Sequence, residues 1–146
     1  MKTELIIKLN KTFEESACIQ NGIEYWMARD IQRFLEYTQW RNFLLVVDKA
    51  KIACSKAGQN VSDHFADVSK MVSIGSGSER EIDDIMLTRY ACYLIAQNGD
   101  PRKDQIAFAQ SYFAIQTRKQ ELLEERIVLV ERLRAREKLA DIVIYN

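Results

Sequence analysis

The chain has 146 residues, of which 47% are hydrophobic, 29% charged and 10% aromatic, so it is the size of one ordinary domain, can bury a core and carries no mark of disorder. Lys plus Arg number 21 and Asp plus Glu number 21, so the basic excess usual in dedicated nucleic-acid binders is missing and any DNA contact must come from local charge segregation. The apolar runs are a few residues long, against the roughly 20 that a membrane-spanning helix needs.

At the amino terminus, Lys2, Glu4, Lys8 and Lys11 interrupt the apolar residues Leu5, Ile6, Ile7 and Leu9, so no signal-peptide core is expected. Asn21-Gly22 is the preferred pair for a type I′ turn, because both central residues must take positive φ. Ala17–Gln20 precedes it and Ile23–Met27 follows, with Ile23, Tyr25 and Met27 alternating against Glu24 and Trp26, so a hairpin is predicted. Ile31, Phe34 and Leu35 then give a helix over roughly Ala28 to Leu35. Thr38 is a candidate cap for a second helix from about Gln39 to Lys56. Its apolar stripe is Trp40, Phe43, Leu44, Val47, Ala50 and Cys54, and Gly58 stops it.

Val68, Met71 and Val72 on one side of Gly75-Ser76-Gly77-Ser78, and Ile82, Ile85 and Leu87 on the other, predict a second hairpin. Thr88 starts a helix through Asn98, with Ala91, Leu94 and Ile95 facing inward. At Gly99-Asp100-Pro101 the expectation is a glycine at positive φ ending one helix, an Asp capping the next, and a Pro in its first turn. From Arg102 no Gly or Pro interrupts a helix that would be roughly 55 to 60 Å long, more than the diameter of a domain of this size, so projection is expected. One stripe on it runs through Ile106, Ala109, Phe113, Gln116, Gln120, Leu123, Ile127 and Val130 in heptad spacing. A second runs through Phe108, Tyr112, Ile115, Leu122, Leu129 and Leu133. Two stripes require two surfaces, one of them supplied by a partner helix.

The chemistry-bearing residues do not assemble into a catalytic set. His64 is the lone histidine, and it reads as structural or exposed at a helix start. Gly75–Ser78 lacks the Lys-Ser/Thr of a phosphate loop, and no nucleophile elbow exists. Asp83-Asp84 are adjacent on a strand, so their side chains point to opposite faces and a solvated edge is expected instead of a metal site. Cys18, Cys54 and Cys92 are odd in number and widely spaced among apolar neighbours, which points to free thiols in a reducing cytosol. No enzyme activity, metal, nucleotide or other cofactor is therefore expected. The cations are more informative. Arg29 and Arg33 share a helix face, Arg41 adjoins Trp40 and Tyr37, and Arg102 and Lys103 stand at a helix start. Aromatics beside Arg suit nucleic-acid contacts, although a core Trp40 under a solvated cationic face is an equally complete reading of these residues alone.

Five blocks of sequence carry a resemblance: Trp26–Asp30 with Phe34–Tyr37; Trp40–Phe43 with Lys49–Cys54; Asp63–Phe65 leading to Met71–Ser76; Leu87–Lys103; and Ala109–Leu122. Together they span about residues 13 to 139. They resemble the amino-terminal part of the DNA-damage-inducible protein D family. The first block is similar to the corner of the wider Bro-N phage-antirepressor domain, with Glu36 in place of the usual Gly. The tail from Asp141 departs from the family pattern.

With the resemblance, the fold expected is α+β: a Bro-N-like domain of short β-hairpins packed on helices over residues 1–100, followed by the long carboxy-terminal helix over 101–146 that the residue pattern predicts, a dimerisation or docking element. The resemblance implies a non-enzymatic, cytoplasmic, bacterial protein of the damage (SOS) response that acts on DNA or on a RecA-type recombinase filament. The alternative is an antirepressor-like transcription regulator. The DNA-binding candidates are Arg29, Arg33, Tyr37, Trp40, Arg41, Arg89, Arg102 and Lys103. The expected partners are DNA, the recombinase filament and a second copy of the chain through the last helix, with no membrane.

Overall fold

The computed structural model describes residues 2–145, so Met1 and Asn146, the outer limits of the two expected domains, lie outside the described residues. The chain divides into two compact units, Met1–Tyr112 and Phe113–Asn146. The elements in order are α1 (Lys2–Glu15), β1 (Cys18–Gln20), β2 (Ile23–Met27), α2 (Ala28–Phe34), α3 (Trp40–Lys56), β3 (Phe65–Ser73), β4 (Glu79–Leu87), α4 (Arg89–Gln97) and α5 (Asp104–Tyr145), with one 3₁₀ turn at Val61–Asp63. This is an α+β architecture with a long last helix, as expected.

The strands form one antiparallel sheet in the order β1-β2-β4-β3. Asn21 (φ 53°) and Gly22 (φ 77°) both take positive φ, which lets two residues close β1 onto β2. Ile19 then lies opposite Glu24. The β3–β4 hairpin is longer, running from Phe65 opposite Leu87 to Ser73 opposite Glu79. The two hairpins are joined where β2 meets β4, at Trp26 with Leu87 and Met27 with Met86.

The core of the first unit is aromatic on one side. The rings of Phe13 and Trp26 stack at 4.6 Å, and Phe34 and Tyr112 lean on Phe13 at 5.7 and 5.9 Å. The Trp26 indole N–H donates to the Phe13 carbonyl (2.9 Å), so this fully buried ring leaves no unpaired donor. On the other side α3 packs on α4, with Phe43, Val47, Ala50 and Cys54 of α3 and Ala91, Cys92, Ile95 and Ala96 of α4 all buried. The stripe read for α3 is thus the buried face, although Leu44 is half-buried. Leu94 on α4 is also half-buried.

One unassigned segment is filled and three local expectations are corrected. Helix α1 occupies a segment the sequence pattern leaves unassigned, and it docks through Leu9 and Phe13, four residues apart. Thr38 does not cap α3: Gln39 is the capping residue, and it makes no side-chain cap bond. Gly99 does not take positive φ. A glycine is needed there because a Cβ would stand 2.9 Å from Ile106 Cγ2. Asp100 closes a turn instead of starting a helix, accepting from the Arg102 amide at 3.0 Å, and α5 begins only at Asp104. Thr88 does cap α4, its hydroxyl accepting from the Ala91 amide.

The residues of α5 from 113 onward make up the second unit. There Leu122, Leu123, Ile127, Val128, Leu129, Val130 and Leu133 are exposed. No described helix is long and apolar enough to cross a membrane.

Candidate functional site

The site begins with a buried carboxylate. Asp84 is 1% exposed, not part of a solvated edge; only its neighbour Asp83 faces out. The amino terminus of α2 explains the inversion. Helix α2 starts at Ala28 with no side-chain cap of its own, so its first amides need an acceptor. Asp84 Oδ1, arriving from β4, accepts from the Arg29 amide (3.1 Å) and the Ile85 amide (2.8 Å). Its other oxygen forms an ion pair with Lys70 Nζ at 3.0 Å across the hairpin. Negative charge at a helix amino terminus is favourable, and here it ties the β3–β4 hairpin to α2.

That tie sets the Arg29 side chain. Arg29 Nε donates to the Asp83 carbonyl (2.9 Å), and the guanidinium lies 4.0 Å from the centre of the Trp40 ring. The terminal guanidinium nitrogens make no further hydrogen bond among the described residues. Trp40 leans on Phe43 (5.8 Å) and Phe43 on Tyr37 (5.4 Å). Lys103 Nζ completes the run 4.6 Å from the Tyr37 ring. Cation, aromatic, aromatic, aromatic and cation therefore form one connected strip drawn from α2, the corner after it, α3 and the turn before α5. Burial pushes the Tyr37 hydroxyl pKa up, with the Asp100 charge adding to it, so Tyr37 stays a neutral donor.

Tyr37 is held by its corner. Its amide donates to the Gln32 carbonyl and its carbonyl accepts from Gln32 Nε2, both at 3.0 Å. Glu36, standing where the resemblance expects Gly, takes φ 60° to make the turn. Gln105 Nε2 donates to the Phe34 carbonyl (2.8 Å), fixing the start of α5 against the end of α2.

One open cleft continues from the strip at Lys103, and a second adjoins that cleft. One, of about 650 Å³, is lined by Glu36, Arg102, Lys103 and Gln105 among others. The other, of about 580 Å³, is lined by Lys8, Thr12, Ser16, Asp30, Arg33, Glu36 and Gln105 among others. They share Glu36 and Gln105. Arg33 is largely exposed and only loosely paired with Asp30, at 3.8 Å. Arg102 is also exposed, and it forks onto Asp100 at 3.0 and 2.9 Å, which holds the Asp100 carboxyl below its usual range. Arg41 is exposed on the first turn of α3. Lys8 was not legible as part of this surface because α1 itself was not.

Arg89 stands apart from these residues. Its guanidinium forks onto Glu14 (2.8 and 2.9 Å) and also reaches Glu24 (2.9 Å). It lies 5.0 Å from the Trp26 ring and 5.7 Å from Phe13. The Arg89 hydrogen bonds hold the Glu14 carboxyl below its ordinary pKa, and burial with the bond to Glu14 pushes Tyr112 up to about 12. His64 is half-buried, with Nδ1 2.7 Å from the Thr88 hydroxyl and its ring 4.8 Å from Tyr90, so it links the strand start to the α4 cap. No group of three or more His, Cys, Asp or Glu is placed to hold a metal among the described residues.

Comparison with known proteins gives two matches. Residues 15–114 match the BRO family, N-terminal domain. Over 117 residues the chain is 49% identical to DNA damage-inducible protein D of Escherichia coli (strain K12), an overlap that covers 80% of this chain and 43% of that protein. The chain thus spans less than half the length of that relative. No solved structure matches.

Proposed function

The chain belongs to the BRO family through its amino-terminal domain, and on that premise we propose that it is a non-enzymatic DNA-binding protein of the damage response. The observation that carries this reading is the strip from Arg29 on Trp40 to Tyr37 under Lys103. Arg29 keeps its terminal nitrogens for a phosphate, because Asp83 takes only Nε. The half-buried rings of Trp40 and Tyr37 hold the two cations in place over their faces. Arg33, Arg102 and Lys8 extend the positive surface into the adjoining clefts, and Arg41 adds an exposed cation on the first turn of α3. Asp30, Glu36, Asp100 and Asp104 temper it, in keeping with the neutral net charge, so affinity is modest and contact with a protein already on DNA, such as a recombinase filament, is part of the reading. Arg89 is assigned to the fold, since two carboxylates already engage it. In this reading the first unit binds, the second docks, and the protein works in the cytoplasm, where Cys18, Cys54 and Cys92 stay free.

Fluorescence anisotropy with labelled single- and double-stranded oligonucleotides across a salt series tests this. The expected result is binding at low salt that weakens linearly in log-log form, with a slope corresponding to about three to five phosphate contacts. Absence of binding to either form at low salt would overturn it.

A further inference from the structure

We infer that the second unit pairs with a second copy of itself as a parallel two-stranded coiled coil, in a register set by Lys119, Glu124, Arg126 and Glu131. The inference rests on α5 alone and stands or falls independently of the DNA reading. Leu123, Ile127 and Val130 are 52%, 49% and 44% exposed and Gln120 is exposed with them, while Gln116 at the head of the seam is half-buried. In heptad terms Gln120 and Ile127 occupy a, and Gln116, Leu123 and Val130 occupy d. A β-branched residue at a with Leu at d favours two strands, and polar residues at seam positions fix the register at some cost in stability.

The flanking charges choose the partner and its direction. Lys119 and Arg126 occupy g, and Glu124 and Glu131 occupy e. In a parallel pair each g residue faces the e residue of the following heptad in the partner. That matches Lys119 with Glu124 and Arg126 with Glu131, twice over by symmetry. An antiparallel pair would set g against g and e against e, placing cation on cation and carboxylate on carboxylate.

A second observation supports the assignment. Charges on an isolated helix find partners three or four residues away, as Arg118 does with Glu121 at 3.2 Å. Lys119 has Ile115, Gln116, Leu122 and Leu123 at those positions, and Arg126 has Leu122, Leu123, Leu129 and Val130. Glu124 has no cation there either, only Gln120, Glu121, Ile127 and Val128. Lys119, Glu124 and Arg126 have no opposite charge to answer within their own helix, whereas Glu131 has Arg134 three residues on, and all four flank one seam. Pairing puts two first units in one complex, and if each binds DNA as proposed above, their contacts add as avidity.

Sedimentation of the full chain at micromolar concentration tests the pairing, with circular dichroism to confirm unchanged helix content in each variant. The wild type should sediment as a dimer and Ile127→Glu as a monomer. Lys119→Glu with Arg126→Glu should weaken the dimer by about 10-fold or more, as should Glu124→Lys with Glu131→Lys. Mixing these two double variants should restore pairing. Gln116→Cys should cross-link to its own copy under mild oxidation, beyond any background from Cys18. A wild-type monomer would overturn the proposal. So would a dimer indifferent to Ile127→Glu or to the charge reversals, and so would a dimer in which Gln116→Cys fails to self-link.

Discussion

Arg89 and Arg29 are both arginines laid over tryptophan, yet their surroundings give them opposite assignments. Arg89, 5.0 Å from Trp26, has its fork filled by Glu14 and Glu24. It joins α1, β2 and α4 and has little left to offer a ligand. The Arg29 guanidinium, 4.0 Å from Trp40, gives only Nε to a carbonyl and meets no carboxylate among the described residues. The motif of Arg on an aromatic ring therefore says little by itself. What matters is whether an acid occupies the guanidinium, and in both cases the partner comes from a distant part of the chain. Asp84 shows the same rule from the acid side: beside exposed Asp83, it is buried because the start of α2 and Lys70 need it.

The contrast can be broken by mutation. The largest effect is expected at Asp84→Ala, which strips a buried ion from Lys70 and an acceptor from the amides of Arg29 and Ile85; chemical denaturation should show a loss of about 3 kcal/mol. A loss under about 1 kcal/mol would mean that this acid does not hold the hairpin to α2. Arg89→Ala should cost about 2 kcal/mol at neutral pH, the figure being discounted because the guanidinium is partly exposed.

That cost should depend on pH. Arg89 depresses the folded-state pKa of Glu14, so the bond contributes its full stability above the unfolded carboxyl value. The contribution is lost as pH falls through the folded value. Melting curves of wild type and Arg89→Ala should therefore converge below about pH 4.5. A gap that stayed constant into acid would remove Glu14 from the account. A smaller effect is expected at the Leu35-Glu36-Tyr37 corner. Glu36 holds φ 60°, so Glu36→Gly should raise stability by about 0.5 to 1 kcal/mol. A fall in melting temperature would show that the Glu36 side chain contributes more than its backbone costs.

Local signals were the legible ones. Asn21-Gly22 needed only its own φ preferences, and Phe43, Val47, Ala50 and Cys54 needed only helical spacing. The α+β class and the long last helix followed from such signals together with the resemblance. Helix α1 was hidden because Lys11 separates its docking residues Leu9 and Phe13, and Lys8 and Glu14 flank them, leaving a stripe too narrow to stand out. Asp84 was misread because strand alternation says that one of two neighbours points inward but not which. The strip itself was half legible. Arg29, Tyr37 and Trp40 lie close in sequence, whereas Lys103 reaches Tyr37 only through the fold. At Gly99 the pattern found the right residue for the wrong reason, since the constraint is the approach of Ile106 and not the backbone angle.

The central claim is that cations free of carboxylates on the aromatic strip contact phosphate. The most direct test measures DNA affinity against salt for Arg29→Ala with Lys103→Ala, beside Arg134→Ala with Arg136→Ala in the second unit as a charge-matched control. The first pair should lower the salt slope by about 2 and weaken binding at low salt, with melting temperature nearly unchanged. The control should keep the wild-type slope. Equal slopes for wild type and the Arg29/Lys103 variant, or an equal loss in the control, would contradict it.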